Sequence, residues 1–149
     1  MNYTELLYHA VILPYGSECT LPTDNRRIFL YQEVWEIIQN MGGHLYRINA
    51  MSDHAHLLFT IPPTIALSDC MQAIKNSTST MIQTINGFER FKTWSDSYAA
   101  LSCNLFDKDV IMNYITNQQE HHKTVTFKDE YMSFIKEMGL EFNESDWNG

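Results

Sequence analysis

Basic residues, cysteines and long apolar runs are all scarce in this chain of 149 residues. Ten Lys and Arg face 18 Asp and Glu, a formal net charge of −8, which argues against a broadly basic surface for nucleic acid. The three cysteines, Cys19, Cys70 and Cys103, are far apart, which predicts reduced thiols rather than a disulfide framework or a zinc knuckle. No segment approaches the roughly 18 consecutive apolar residues of a membrane-spanning helix, so no membrane segment is expected.

Charge is distributed unevenly along the chain. The opening residues, MNYTELLYHA, contain no Lys or Arg and lack the basic region of a secretory signal, which predicts a cytoplasmic protein. From Glu137 onward there are four acidic residues and no basic one, so residues 140–149 are interpreted as an acidic tail. The rest of the chain keeps a net charge of −4 (−8 less −4), which leaves room for a local basic patch. The length predicts one domain over residues 1–149.

Hydrophobic periodicity and turn residues predict eight secondary-structure elements. Apolar runs predict strands over Leu6–Leu13, His44–Ala50, Ala55–Ile61 and Ser97–Cys103. Helical spacing and capping residues predict helices from Pro22-Thr23-Asp24 to Gly42-Gly43, from Thr64 to Asn86-Gly87, from Asp107 or Asp109 to His121 or His122, and from the capping pair Thr126 and Asp129 to Met138-Gly139. The order β-α-β-β-α-β-α-α predicts an α+β, ferredoxin-like (split β-α-β) antiparallel sheet with additional C-terminal helices.

The stretch SDHAHLLF, residues 52–59, places two of the six histidines one residue apart inside a predicted strand. Because successive side chains of a strand point to opposite faces, His54 and His56 share one face. Two imidazoles on a rigid element form half of a metal site, and a catalytic metal usually has at least a third protein ligand. The alternative is a pair of half-buried histidines bonded to the backbone, and the motif alone leaves both interpretations open.

The predicted third helix can supply a third ligand. In DVIMNYITNQQEHH, Tyr114 and Gln118 are four residues apart and therefore neighbours on one helical face, with His121 or His122 a further turn along. Aliphatic residues of the same helix lie offset from this face, which leaves the polar face free to line a site. The alternative is that Tyr114 is a core aromatic and that the rest of the face is solvated surface.

These residue types together favour phosphoryl-transfer chemistry. Two histidines and an amide oxygen could hold Mg²⁺ or Mn²⁺, because oxygen ligands suit both cations and imidazole adds affinity for Mn²⁺. A tyrosine phenol, with a pKa of about 10, is a weak nucleophile unless a cation favours its phenolate form. Placed in line with a metal-bound phosphodiester, Tyr114 could attack phosphorus, expel a 3′-hydroxyl and remain as a 5′-phosphotyrosine. The bond energy is retained, so the strand can be rejoined without ATP.

Several spaced motifs carry a resemblance to a known family. They are the strand with His9, the Gly42-Gly43 turn, SDHAHLL, IKNSTS from Ile74 to Ser79, W-x-x-x-Y of Trp94 and Tyr98, YITNQQEHH, and F-x-x-E-Y from Phe127 to Tyr131. In this order they resemble the single-tyrosine, His-hydrophobic-His transposases of the insertion sequence 200/605 group, including relatives associated with repetitive extragenic palindromes. The resemblance covers most of the chain, and several motifs in order are more specific than any one.

The resemblance implies a metal-dependent single-stranded DNA transposase. Matched residue by residue, it implies that Tyr114, on one of the C-terminal helices, is the nucleophile and that His54, His56 and Gln118 are the ligands of Mg²⁺ or Mn²⁺. It also implies single-stranded DNA substrates, with hairpins at element ends. A homodimer is expected, in which the tyrosine helix of one subunit can complete the metal site of the other.

Contacts to DNA are expected at three further residues. The resemblance places Lys75 and Asn76 on a helix where DNA contact is expected, although a solvated helix face is an equally good interpretation. Arg47 is the third, as part of a local basic patch. Trp94 and Tyr98 could stack on bases, but core positions are favoured for both.

Two other classes of protein compete with this interpretation. A non-catalytic or domesticated ferredoxin-like nucleic-acid-binding regulator would use the sheet surface but not Tyr114, and phenylalanine at that position would have favoured it. A small zinc or iron enzyme built on His54 and His56 would need a carboxylate ligand a few residues later, and LLFTIPPT supplies none. The regulator is therefore the stronger alternative.

Overall fold

The computed structural model describes residues 2–21, 25–85 and 90–148. The strands are β1 (Leu7–Pro14), β2 (His44–Ala50), β3 (Ala55–Thr60) and β4 (Trp94–Cys103). The helices are α1 (Arg27–Asn40), α2 (Leu67–Gln83), α3 (Lys108–Thr116), α4 (Gln118–His121), α5 (Phe127–Glu137) and α6 (Glu144–Asn148), with 3-10 turns at Tyr15–Ser17 and Leu105–Asp107. Within these ranges, no helix is both long and apolar enough to cross a membrane.

The four strands form one antiparallel sheet in the order β2-β3-β1-β4. Strand β3 therefore lies between β1 and β2, which is the split β-α-β arrangement, and the predicted ferredoxin-like fold is confirmed. Two glycines set the entry to β2. Gly42 has a φ of +85°, and a Cβ on Gly43 would lie 2.1 Å from the Thr60 carbonyl oxygen, so the backbone approaches β3 more closely than any side chain allows.

One face of the sheet is covered by α1 and α2, and we call it the α1–α2 face. Alternate residues of β1 and β3 point into it, because side chains alternate along a strand. They pack with buried residues of both helices in the largest apolar cluster, which includes Ala10, Ile12, Leu57, Phe59, Leu30, Val34, Ile38, Met71 and Ile74. Trp94 and Tyr98 belong to this cluster or pack against it, as expected for core positions.

The opposite face of the sheet is covered by α3 and α5, and we call it the C-terminal face. Here Val11 and Leu13 pack against Phe127 and Tyr131. A separate cluster joins Leu7 and Leu58 of the sheet to Ile115 of α3, and Tyr114 packs beside it. The additional helices therefore bury the second side of β1 and β3.

One predicted helix boundary differs from the structure, and two others fall on residues that the structure does not describe. Thr64 was predicted to cap α2, but the residue before the helix is Ala66, without a side-chain cap. The reason is a turn closed by the Ile65 N–H on the Pro62 carbonyl at 3.1 Å, which holds Thr64 outside the helix. The predicted start at Pro22-Thr23-Asp24 and end at Asn86-Gly87 lie outside the described residues.

The predicted third helix is interrupted. Asn117, with φ −93° and ψ 17°, separates α3 from α4. The Asn49 amide of β2 donates to the carbonyl of Ile115 at 2.8 Å and is 3.4 Å from that of Thr116, and a side chain inserted at these carbonyls interrupts the helical ladder. At the next helix, the Thr126 hydroxyl accepts from the Asp129 N–H at 3.2 Å, so Thr126 caps α5 as predicted.

Candidate active site

Three histidines converge under the C-terminal face because of strand register. His9 on β1 pairs with Leu58, and His56 on β3 pairs with Val11, so the two imidazoles are diagonal neighbours on one face. His54 lies just before β3, where the hairpin is closed by the Met51 N–H on the His54 carbonyl at 2.8 Å. All three rings are buried, at 5% exposure or less.

The structure brings all four residues expected in the reaction together in one chain. Gln118, the first residue of α4, has its Oε1 3.0 Å from His54 Nε2. Tyr114, on the last turns of α3, has its ring centroid 5.7 Å from that of His56. The break at Asn117 does not separate them, because Tyr114 and Gln118 both remain on the side of α3 and α4 that faces the histidines.

Glu130 of α5 lies at the centre of this group, although sequence reasoning did not select it. Its Oε1 is 3.0 Å from His56 Nε2 and 3.2 Å from His122 Nε2. Its Oε2 accepts hydrogen bonds from the Tyr114 hydroxyl and, at 3.1 Å, from Gln118 Nε2. A signal was present, since Glu130 interrupts an apolar stripe of α5, and a carboxylate is rarely buried unless it is paired.

Two of the histidines have their second ring nitrogen bound to an acceptor. His54 Nδ1 donates to Asp53 Oδ1 at 2.7 Å, and His122 Nδ1 donates to the Val125 carbonyl at 2.7 Å. An imidazole that holds its proton on Nδ1 presents a lone pair at Nε2 when neutral. The Phe127 ring stacks on His54 at 3.8 Å and 3°, which further fixes the orientation of that ring.

The second ring nitrogen of His56 contacts another histidine, His9. His56 Nδ1 lies 2.9 Å from His9 Nε2. Burial, followed by the neighbouring His56, lowers the pKa of His9 to about 3. Burial also lowers the pKa of His56 to about 4, against an opposing hydrogen bond to Glu130. Both rings are therefore neutral at pH 7, the form in which an imidazole binds a metal.

Glu130 and Tyr114 are held in opposite protonation states. Burial acts to raise the pKa of Glu130, but hydrogen bonds from His122 and His56 outweigh it and hold that pKa well below its usual range. Burial, followed by the hydrogen bond to Glu130, raises the pKa of Tyr114. The carboxylate is therefore ionised at neutral pH, and the phenol next to it stays protonated.

Comparison with known proteins identifies the family of the chain. Residues 2–118 match the family model described as transposase IS200 like. The chain belongs to this IS200-like transposase family. No curated protein matches the chain. The family match ends at Gln118, so His122 and Glu130 of this transposase lie beyond it.

Two solved structures share the fold of this IS200-like transposase. A crystal structure described as that of a transposase candidate from Deinococcus radiodurans R1 has a TM-score of 0.58 and 22% identity, covering 78% of this chain and 93% of that chain. A REP-associated tyrosine transposase bound to a REP hairpin has a TM-score of 0.62 and 14% identity, covering 84% of this chain and 73% of that chain. At these identities the likeness concerns the fold.

A cavity of about 600 Å³ opens beside the tyrosine of this transposase. Its lining includes Tyr114, His121, Glu130, Phe134 and Glu137. Tyr114 therefore borders open space, while the metal-ligand candidates lie deeper, under α4 and α5.

The residues expected to contact DNA lie apart from this cavity. Lys75 and Asn76 are on α2, which covers the other side of the sheet. Lys75 Nζ donates to the Asp96 carbonyl at 3.2 Å, and Asn76 accepts from Gln72 at 2.7 Å. Arg47 lines a shallow groove of β2 and α1 with Trp35. The three residues do not converge on the histidine cluster, and their contact with DNA stays a prediction.

Proposed function

We propose that this chain is a metal-dependent single-stranded DNA transposase that cleaves and rejoins strands through a 5′-phosphotyrosine on Tyr114. The observation that carries the proposal is the meeting of Tyr114, His54, His56 and Gln118 in one chain of an IS200-like transposase. The alternative interpretations, a core role for Tyr114 and hydrogen bonding of the histidines to the backbone, do not account for this arrangement. A core tyrosine has no need of a buried carboxylate at its hydroxyl, and backbone-bonded histidines have no need to converge.

The donor atoms fit a divalent cation. His54 Nε2 and Gln118 Oε1 lie 3.0 Å apart, and His56 is neutral, with its pKa lowered to about 4. His54, His56 and Gln118 would hold Mg²⁺ or Mn²⁺, and the bound ion would supply Lewis-acid polarisation of the scissile phosphodiester. The residues that the chain itself provides would then position the ion beside the tyrosine.

Tyr114 performs the covalent step in this proposal. Its oxygen forms a bond to phosphorus while the bond from phosphorus to the 3′ oxygen breaks, and that oxygen leaves with a proton as a 3′-hydroxyl. The phenolic hydrogen is donated to Glu130 Oε2, so this carboxylate is positioned to accept it. A 3′-hydroxyl attacking the phosphotyrosine reverses the step and joins the strand. The number of phosphoester bonds is unchanged, and no ATP is needed.

The expected substrate is single-stranded DNA with hairpins at element ends. One structural neighbour is described as bound to a REP hairpin, which supports this class of substrate for a related fold. The cavity beside Tyr114 gives a single strand access to the nucleophile. Cytoplasmic localisation and the single domain of residues 1–149 stay predictions from the sequence.

The expected homodimer also stays a prediction. Sharing of active sites between subunits was one expectation from the family resemblance. In the structure, Tyr114 and its carboxylate partner belong to the same chain as the histidines, so this grouping requires no second subunit. A dimer would then join two complete sites.

A covalent-adduct assay tests the proposal. The protein is incubated with Mg²⁺ or Mn²⁺ and labelled single-stranded DNA from the flanks of its own gene, and the products are separated on a denaturing gel. We expect a metal-dependent band of protein joined to a 5′ phosphate, absent in Tyr114→Phe and His56→Ala. Tyr98→Phe is the matched control, because Tyr98 packs on the α1–α2 side and should retain the adduct.

The opposite result favours the regulator. If none of these proteins forms an adduct, and all bind the same DNA without metal, the phosphotyrosine mechanism is wrong and the sheet is a binding surface. An adduct that persists in Tyr114→Phe would contradict the assigned nucleophile while leaving a covalent mechanism in place.

A further inference from the structure

His122 has the same arrangement as His54. Its Nδ1 donates to the Val125 carbonyl at 2.7 Å, and its Nε2 points to the centre of the cluster, 2.8 Å from Gln118 Oε1. Histidines that bind a metal almost always donate their other ring N–H to a carboxylate, a carbonyl or water, which fixes the tautomer. By this criterion His122 is positioned as a third imidazole ligand.

The adjacent histidine differs. His121 is one third exposed, and its Nε2 approaches Glu130 Oε2 at 3.1 Å, the oxygen that also accepts from Tyr114. It lines the cavity rather than the interior of the cluster. The two neighbouring histidines therefore face different oxygens of one carboxylate.

Possible metal-donor atoms converge at the centre of the cluster. His54 and His122 donate through Nδ1, and their Nε2 atoms lie 3.0 and 2.8 Å from Gln118 Oε1, so each Nε2 needs a second proton or a cation to interact favourably with that oxygen. The Gln118 amide cannot simply be reversed, because its Nε2 donates to Glu130 at 3.1 Å. Two facing acceptors repel unless a proton or a cation lies between them. Donor atoms that converge in this way are the ordinary surroundings of a metal ion.

The two oxygens of Glu130 face different groups, with His54, His56 and His122 at Oε1 and Tyr114 at Oε2. Oε1 is 3.0 Å from His56 Nε2, 3.2 Å from His122 Nε2 and 3.6 Å from His54 Nε2, whereas Oε2 faces Tyr114. One donor atom from each of His54, His56, His122 and Glu130 lies within 4.8 Å of all the others. A single ion can therefore contact all four after small movements.

We propose that His122 and Glu130 are ligands of the ion in addition to His54, His56 and Gln118, and that this set binds Mn²⁺ in preference to Mg²⁺. Three imidazoles suit first-row transition ions, and a carboxylate suits Mn²⁺ and Mg²⁺ alike, but Mg²⁺ prefers oxygen ligands and retains its waters. The role of the ion in DNA cleavage rests on the proposed function. The ligand set does not, because it can be measured on the protein alone.

Calorimetric titration of the metal-free full chain with MnCl₂ or MgCl₂ tests the preference. We expect Mn²⁺ to bind at least about tenfold more tightly than Mg²⁺, and Glu130→Gln to weaken Mn²⁺ binding by about a hundredfold or more. Glu137→Gln is the matched control on α5, since Glu137 lines the cavity but is not in the cluster. Equal affinity for the two ions, or equal losses in the two variants, would overturn the proposal.

Pulsed electron paramagnetic resonance of bound Mn²⁺ counts the imidazoles directly. We expect ¹⁴N couplings from three rings in the wild type and in His121→Asn, and from two rings in His122→Asn. The wild-type count needs no substitution, so it decides the question even if a variant fails to fold. Two rings in the wild type would exclude His122 from the ligand set.

The two proposals can fail separately. Tyr114→Phe should bind Mn²⁺ with the wild-type nitrogen count and form no adduct. If the wild type shows the expected metal binding but never forms an adduct, the transposase mechanism is wrong and the ligand set stands. If Glu130→Gln and His122→Asn keep wild-type Mn²⁺ affinity while the adduct forms, the mechanism stands and the ligand set is wrong.

Discussion

The two faces of the central sheet are made by the same strands but contain different chemistry. On the α1–α2 face, Ala10, Leu57 and Phe59 are fully buried among aliphatic helix residues. On the C-terminal face, the neighbouring positions of the same strands are His9 and His56. Strand alternation alone separates these two sets of side chains. The comparison teaches that one strand can stabilise the fold with one set of residues and form the candidate active site with the other.

The buried polar groups of the C-terminal face depend on one another. Burying a polar side chain is costly unless it is hydrogen-bonded. Across the part of the chain that the structure describes, no buried side-chain nitrogen or oxygen lacks a partner. The partners of Glu130 are mainly site residues, so removing one of them disturbs several others. The apolar cluster has no such mutual dependence, and its contribution to stability is spread over many contacts.

The largest effect is expected from a change of one residue on the C-terminal face. His56→Ala should reduce adduct formation by about a hundredfold or more, because it removes a proposed metal ligand. The variant also removes a buried partner of Glu130, so the metal-free protein should lose stability as well, and adduct formation is compared per folded molecule. Parallel adduct assays and urea titrations in the presence of a chelator measure the two quantities. A large loss of stability with normal activity per folded molecule would reverse the comparison.

Leu57, the residue after His56, should give the opposite result, with a large effect on stability and little effect on metal binding. Leu57→Ala removes a fully buried side chain from the α1–α2 face and should lower the free energy of unfolding by about 2–5 kcal/mol. Affinity for Mn²⁺, measured on the folded variant, should remain near the wild-type value. Weakened metal binding in Leu57→Ala would show that the two faces are coupled through the sheet.

Acid should destabilise the metal-free protein through the C-terminal face. The pKa values of His9 and His56 are lowered to about 3 and about 4 in the folded state, whereas the unfolded chain takes up these protons near pH 6.5. Below pH 6.5 the unfolded state binds more protons, so stability falls as the pH drops towards 4, by a few kcal/mol. The depressed pKa of Glu130 acts in the same direction at still lower pH, and the raised pKa of His122 opposes it.

Urea titrations at pH 7, 6 and 5 with a chelator present measure this slope. Leu57→Ala should lower every point by a similar amount and leave the slope unchanged, since it removes no titratable group. A slope equally steep in a His9→Phe variant would assign the acid sensitivity to other groups.

The smallest loss of metal binding is expected from a change of His9, which contacts the Nδ1 atom of His56. His9→Phe removes the partner of His56 Nδ1 and should weaken Mn²⁺ binding by about tenfold, as is usual for such supporting contacts. His9→Gln, which can still accept from Nδ1 through its side-chain oxygen, should restore part of the affinity. Equal binding in both variants would mean that packing, rather than the hydrogen bond, orients His56.

Much of the fold could be predicted because its signals are local. The apolar runs of β1 and β3, the alternation of β2 and the Thr126 cap each depend on residues close in sequence. The beginning of β4 was placed at Ser97 rather than at Trp94 because the pairing of Trp94 with Pro14 is not visible in the strand itself. The break at Asn117 likewise depends on Asn49, 66 residues away from Ile115.

The site was only partly predictable for the same reason. His54 and His56 are recognisable by strand spacing, and Tyr114 and Gln118 by helical spacing. Glu130 interrupts the apolar stripe of α5, but that local signal does not reveal its partner, since the contact with His56 spans 74 residues. Its burial and the number of its partners become visible only after α5 is placed on the sheet.

The spacing along α3, α4 and α5 bears on how copies of such a mobile element decay. Tyr114, Gln118 and His122 follow one another at intervals of four, and Glu130 comes eight residues later. One inserted or deleted residue between Gln118 and His122, along the turn of α4, would rotate His122 away from Gln118 by about 100°. Under the proposed mechanism, such a copy would keep much of its family match through residue 118 and lose the reaction. The proposed mechanism therefore predicts that the count of residues from tyrosine to glutamate differs between active copies and relics.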